Sequence, residues 1–167
     1  NGDKKTYTLT VVREEAPKPE VPEISNKWTL TSNTYVIGES MITGIAPQTE
    51  VSTFLNGFKM DNCTIKIFSS SGAEKTGTIS TGDKLEVYCN GTLVMTRQIV
   101  IYGDANGDGA VDVLDIIRIN RHTLGLSTLK GVYLEAADTN RKGDGVDVLD
   151  IIVTNRHTLG LTTIKQK

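Results

Sequence analysis

Cysteine is nearly absent from this chain. Among 167 residues there are two, Cys63 and Cys89, far too few for a cystine-stapled module. Each stands at the start or end of a predicted strand; the expectation is a pair of buried free thiols, with a single disulfide as the alternative. Histidine is equally scarce: His122 and His157 are the 2 present, with no cysteine, serine or second histidine beside either, which argues against catalysis and for a structural or interface role. No apolar run approaches the ~20 residues needed to span a bilayer, so membrane insertion is not expected. A net charge of −2 provides no basic face for nucleic acid or anionic lipid. The opening Asn1-Gly2-Asp3-Lys4-Lys5 has no signal-peptide pattern, and the chain reads as an excised piece of a longer protein.

What is present is an ordinary globular composition, 38% apolar and 23% charged, whose texture changes along the chain and so favours small successive units. Residues 1–13 contain Thr6-Tyr7-Thr8-Leu9-Thr10-Val11-Val12, alternating as a half-buried strand does. Residues 14–24 hold Pro17, Pro19 and Pro22, which fix φ and remove donors, so a stiff extended linker is expected. The strand before it resembles the closing strand of the cadherin-like β-sandwich repeats of bacterial surface proteins, and so reads as the remnant of a preceding domain.

Residues 25–102 read as a small β-rich module. Lys27–Ile37, Cys63–Phe68, Thr76–Ile79, Lys84–Cys89 and Thr92–Tyr102 are β-branched or alternating and are separated by Gly, Asn, Asp and Ser clusters. Val51, Phe54 and Leu55 fall at helical spacing with Gly57 beyond them, which predicts one short helix packed on the sheet. Trp28 and the tyrosines are either core or a sugar-binding platform.

The chemistry lies in residues 103–167, where Val111–Leu126 returns as Val146–Leu161 with only two differences, Arg118 against Val153 and Ile119 against Thr154. Before the first copy, Asp104, Asn106, Asp108, Asp112 and Asp115 occupy loop positions 1, 3, 5, 9 and 12, with Gly109 at 6 and Ala110 at 7. Alternate oxygens of such a loop converge on one ion, glycine permits the sharp turn, and position 7 contributes its peptide carbonyl, the all-oxygen cage that calcium prefers. In the second copy Asp138, Asn140, Asp144, Asp147 and Asp150 take the corresponding places, but the loop is one residue longer. Two calcium sites are therefore expected, with Asp144 the least certain ligand and a collapsed, ion-free second loop as the alternative. Val111 and Val146, at position 8, are expected to pair as a short antiparallel bridge.

The residues before the first loop, Ile99-Val100-Ile101-Tyr102-Gly103, read as a strand, so each unit is half of a helix–loop–helix hand, a loop followed by its exit helix. A tandem of such units, with Gly-Asp-Ala-Asn-Gly-Asp-Gly at the first entrance and Arg-His-Thr-Leu-Gly-Leu at both exits, resembles the type I dockerin family. The resemblance implies an all-α dockerin with two EF-hand-like calcium loops, hence an α+β chain overall, with a small X-like companion module ahead of it. It implies a 1:1 complex with a cohesin module of a scaffold or cell-surface protein, and a secreted bacterial setting such as a cellulosome.

Independent of the resemblance, Leu114, Ile117 and Arg121 share a second helical stripe beside the one that builds the core. The family's contact positions map onto Val113, Leu114, Asn120 and Arg121, and onto Val148, Leu149, Asn155 and Arg156; Ile117 and Ile152 complete the two stripes. For Val113 and Val148 a plain core role is the competing reading. Near-identity of the copies implies that one cohesin could be held in two orientations related by half a turn. Three functions follow: a non-enzymatic calcium-dependent adaptor, a calcium-rigidified terminus without a partner, and a carbohydrate-binding fragment using residues 25–102.

Overall fold

The computed structural model describes residues 28–167; the strand expected within residues 1–13 and the linker at 14–24 lie outside the described residues. The described chain is mixed α+β, with four helices and two sheets. Strands β1 (Thr31–Ser32) and β4 (Phe58–Lys59) form a two-stranded ribbon. The larger sheet has the order β2-β3-β7-β6-β5, from β2 (Val36–Ile37), β3 (Met41–Thr43), β5 (Cys63–Phe68), β6 (Lys84–Cys89) and β7 (Thr92–Ile99). All its pairings are antiparallel except β3 with β7.

Strand β6 shows how the sequence sets this sheet. Leu85, Val87 and Cys89 alternate with half-exposed residues and face a core that also holds Ile42, Ile45, Ile67, Ile79, Ile99 and Ile101. Helix α1 (Val51–Leu55) covers that core with Phe54, which has no exposure. The Phe54, Phe58 and Tyr35 rings pack together with centroids 4.8 to 5.2 Å apart, in the tilted and edge-on arrangements that aromatic quadrupoles favour. Gly57 follows the helix as expected, but it serves a different purpose from an ordinary stop. A Cβ there would lie 2.2 Å from the Tyr35 ring, so the absent side chain is what lets the aromatic cluster close.

Several expectations are corrected. Cys63 and Cys89 are not free thiols: they are opposite one another in the β5–β6 register with Cα atoms 4.3 Å apart, and they form a disulfide. Counting cysteines missed this, because the pairing is created by strand register. Thr76–Ile79 is not a strand; it contributes a single bridge, Thr78 to Glu50, and its backbone bonds go to residues 49–51 at the start of α1. The predicted first strand, Lys27–Ile37, is split into β1 and β2, and Thr92–Tyr102 stops pairing at Ile99.

After Tyr102 the regular elements are α2 (Val113–Thr123), α3 (Val132–Ala137) and α4 (Val148–Thr158). Helix α3 leads into the second loop, so the reading of both units as a loop with an exit helix alone holds only for the first. The expected bridge between Val111 and Val146 does not form among the described residues. Val111 packs beside Val100, Tyr102, Val132, Ala136 and Ile164, whereas Val146 packs with Ala105, Ile119, Leu129 and Ala137. The two valines serve different hydrophobic clusters. The first of these clusters also takes in Met41 of β3, so the sheet and the helices share apolar contacts.

Replacing Cys63 and Cys89 together by serine is expected to lower stability by about 3 kcal/mol, the loop-closure contribution of a bond between residues 26 apart in sequence. Chemical denaturation of the variant beside the oxidised and reduced parent checks this: the variant and the reduced parent should unfold at the same denaturant concentration, well below the oxidised chain.

Candidate functional site

The first loop is a lattice of backbone amides tied to side-chain oxygens. Asp104 is fully buried. Its Oδ1 accepts from the Gly107 and Asp108 amides at 2.8 and 3.0 Å, and its Oδ2 accepts from Gly109 at 3.1 Å and from Thr81, in the β-rich part, at 2.8 Å. Asn106 Oδ1 accepts from Asp108 N at 2.8 Å, and Asp108 Oδ1 accepts from Ala110 N at 2.9 Å. Each short polar side chain thus turns the backbone two residues on, the local bonding that Asp and Asn favour in turns.

The loop closes onto α2. Asp115, also fully buried, accepts from Asn106 N at 3.0 Å and from Asp112 N at 2.9 Å. Asp112 in return accepts from Leu114 N at 2.7 Å, so Asp112 and Asp115 form a capping box. One residue therefore both ends the loop and begins the helix.

Among the described residues no ion pair reaches Asp104 or Asp115. Burial, reinforced by the charges of Asp104 and Asp108 and opposed by the amide bonds, pushes the Asp115 carboxyl up to about 7. Asp104 is raised as well, first by burial, against the bonds from Thr81, Gly107 and Gly109. Buried carboxylates without a counter-charge are costly, and a divalent cation bound by oxygen is the natural compensation. Among the described residues no three Asp, Glu, His or Cys side chains form a cage by themselves. The loop positions assigned to an ion are all oxygen donors, four carboxylates with the Asn106 amide and the Ala110 peptide carbonyl, the kind of donor calcium takes. When bound, the ion would supply positive charge to Asp104 and Asp115.

The second loop repeats only part of this pattern. Asp150 is buried, accepts from Asn140 N and Asp147 N at 2.9 Å each, and forms a capping box with Asp147 on α4. Asp138 is only half-buried and accepts from Arg141 N at 2.9 Å. Burial raises its carboxyl, helped by the charges of Asp150, Glu135 and Asp144. Asp144 is exposed, and among the described residues it has no counterpart to the Asp108 turn. The buried Asn140 Nδ2 has no partner among the described residues. Arg141 lies over the Tyr102 ring at 4.5 Å, while the Tyr102 hydroxyl donates to Glu135 at 2.8 Å. Burial, the bond to Glu135 and that carboxylate's charge push this tyrosine up to about 12.

All ten residues assigned to the partner face, Val113, Leu114, Ile117, Asn120, Arg121, Val148, Leu149, Ile152, Asn155 and Arg156, are exposed. Val113 and Val148 stand 60% and 61% exposed, so neither fills the core. Leu124, Leu126, Leu159 and Leu161, in the turns that follow the two helices, are also exposed. The two differences between the repeats fall elsewhere. Ile119 and Thr154 are fully buried: Ile119 fills an apolar cluster, while the Thr154 hydroxyl donates to Asp150 O at 2.8 Å. Val153 packs at the Tyr102 cluster, where its equivalent, Arg118, is exposed.

His122 Nδ1 accepts from Leu129 N at 3.2 Å, and His157 Nδ1 lies 3.3 Å from Thr162 O; both orient the turn after their helix. Trp28 is half-buried and packs against the core, while Tyr35, Phe54 and Phe58 are buried within it.

With calcium removed by a chelator, stability is expected to fall as pH rises. The raised Asp115 carboxyl holds its proton more tightly in the folded than in the unfolded state, so its contribution is full below about pH 4 and is lost as pH climbs through about 7. Melting temperature against pH checks the sign, and excess calcium should flatten the dependence.

No curated protein and no solved structure matches the chain. A family model does: residues 102–157 match the dockerin type I domain, a span that opens at Tyr102, takes in both loops and α2, and ends within α4. Dockerin domains bind calcium and pair with cohesins in general. Residues 102–157 therefore belong to the type I dockerin family, and the chain carries a dockerin domain.

Proposed function

We propose that this chain is a calcium-dependent adaptor: residues 103–167 anchor a secreted bacterial protein to a cohesin module of a scaffold or cell-surface assembly such as a cellulosome, behind a companion module at 25–102. The observation that carries this reading is the paired face. Val113, Leu114, Ile117, Asn120 and Arg121 on α2 recur as Val148, Leu149, Ile152, Asn155 and Arg156 on α4, and every one of them is left in solvent. Exposed aliphatic side chains at matching places on two helices lose free energy to water, and association is the ordinary way such a surface is covered. Flanking arginines and asparagines supply the polar rim and orientation.

Asp104, Asn106, Asp108, Ala110, Asp112 and Asp115 would hold one ion, and Asp138, Asn140, Asp144, Asp147 and Asp150 a second. In this reading the metal is structural: it neutralises the loop carboxylates and so fixes the first turns of α2 and α4, on which Leu114 and Leu149 sit. Chelation should therefore abolish partner binding without touching the face itself. The Cys63–Cys89 disulfide supports an oxidising, extracellular setting.

Because the two faces match, a 1:1 complex can form in either of two orientations. Calorimetric titration with a panel of cohesin modules tests this. Leu114→Asp or Leu149→Asp alone should weaken binding by only about two-fold, since one of two equivalent orientations survives. The double variant should lose binding by 100-fold or more, on the order of a central interface residue's contribution on each face. Absence of binding to any cohesin, with calcium uptake retained, would favour a calcium-rigidified terminus without a partner.

A further inference from the structure

The duplicated sequence suggests two equivalent calcium loops, but the fold makes them unequal, and the source of the inequality is the β-rich part. Loop 1 is built against it. Thr81 N donates to Asp104 Oδ2 at 2.8 Å, and Gln48 N donates to Gly109 O at 2.8 Å. The fit is tight enough that side chains are excluded: a Cβ on Gly109 would lie 2.5 Å from Ile79 O, and one on Gly107 would lie 2.9 Å from Thr81 O. Loop 2 is walled less closely, with Arg141 lying over the Tyr102 ring. A Cβ on Gly143 or Gly145 would meet nothing within 4 Å, and Asp138 is half-exposed where Asp104 is fully buried.

Resting on the reading of these loops as calcium sites, we infer that the β-rich part is the outer wall of loop 1, that Thr81 is a positioning residue for the ligand Asp104, and that calcium therefore fills loop 1 before loop 2. The physical cause is pre-organisation. A carboxylate already pinned by four backbone amides loses little freedom when it takes up an ion, whereas Asp138, held through one, must still be ordered. Thr81 is itself fixed: it is buried, and its hydroxyl accepts from Ile101 N at 3.1 Å and faces Ile101 O at 3.3 Å. The chain segment that enters loop 1 and the residue that braces the loop are thus clamped to each other. By linkage, the ion that fills loop 1 must also stabilise the β-rich part. Loop 2, and with it the first turn of α4, is last to load and first to empty as calcium falls.

The test is a calcium titration of the whole chain followed by the backbone amide resonances of Gly107 and Gly109 for loop 1, and of Gly143 and Gly145 for loop 2. In the parent chain loop 1 should fill at lower calcium than loop 2, and hydrogen exchange at the Thr81 amide should slow in step with loop 1. Thr81→Val, which keeps the shape and deletes the hydroxyl clamp, should weaken loop 1 roughly five-fold, as one lost hydrogen bond does, and leave loop 2 unchanged; Thr81→Ser should restore it. Should Thr81→Val not fold, the parent's two filling curves and its Thr81 exchange decide alone. Loops that fill together, a Thr81 amide indifferent to calcium, or a variant that shifts both loops alike or neither would overturn the inference. No calcium at either loop would overturn the reading beneath it.

Discussion

Two carboxylates, Asp104 and Asp115, are withdrawn entirely from water at the place where the sheet-bearing half of the molecule meets the helical half, and among the described residues no cation answers them. Most of the remaining structure is arranged around that constraint. Asp104 takes amides from its own loop and from Thr81 across the junction, while Asp115 joins the loop's front to the first turn of α2. Charge that must be neutralised, backbone that must be turned and a helix that must be started are all handled by the same oxygens. That is why a bound ion would act at once on fold and on face: it stabilises the turn from which Leu114 projects.

The junction is stapled at several further points. Gln166, near the end of the chain, exchanges two hydrogen bonds of 2.8 Å with the Tyr102 backbone, and Ile164 packs in the same cluster. Tyr102 in turn carries Arg141 on its ring and Glu135 on its hydroxyl. A residue at the boundary between the two halves thereby contacts the C-terminal tail, α3 and the second loop. The β-rich part is thus a structural participant in the shape of the helical part.

How much of this was legible in the sequence depended on whether the signal was local. Strands β5 and β6 were read to their ends because alternation and flanking turn residues are encoded within a few positions, and α1 because Val51, Phe54 and Leu55 mark one helical face. The first loop's spacing is likewise local. What escaped required a distant partner. The disulfide follows from β5–β6 register; β3 exists through its parallel pairing with β7; and α3 spans only Val132–Ala137, too short for periodicity to declare it. The repeat encouraged a symmetric picture, with a bridge between Val111 and Val146. Instead the ten positions of the paired face are kept alike while Ile119 and Thr154 answer different interiors, one apolar and one hydrogen-bonded to Asp150, and Arg118 stands in solvent where Val153 packs. The two substitutions in the repeat record where the symmetry stops.

Scanning calorimetry of the whole chain, with calcium and with chelator at neutral pH, tests the central claim most directly, because it asks whether the buried carboxylates couple the two halves. The account predicts one cooperative transition embracing both the sheet and the helices, moved to higher temperature by calcium. Two separate transitions, with calcium moving only the helical one or neither, would contradict it.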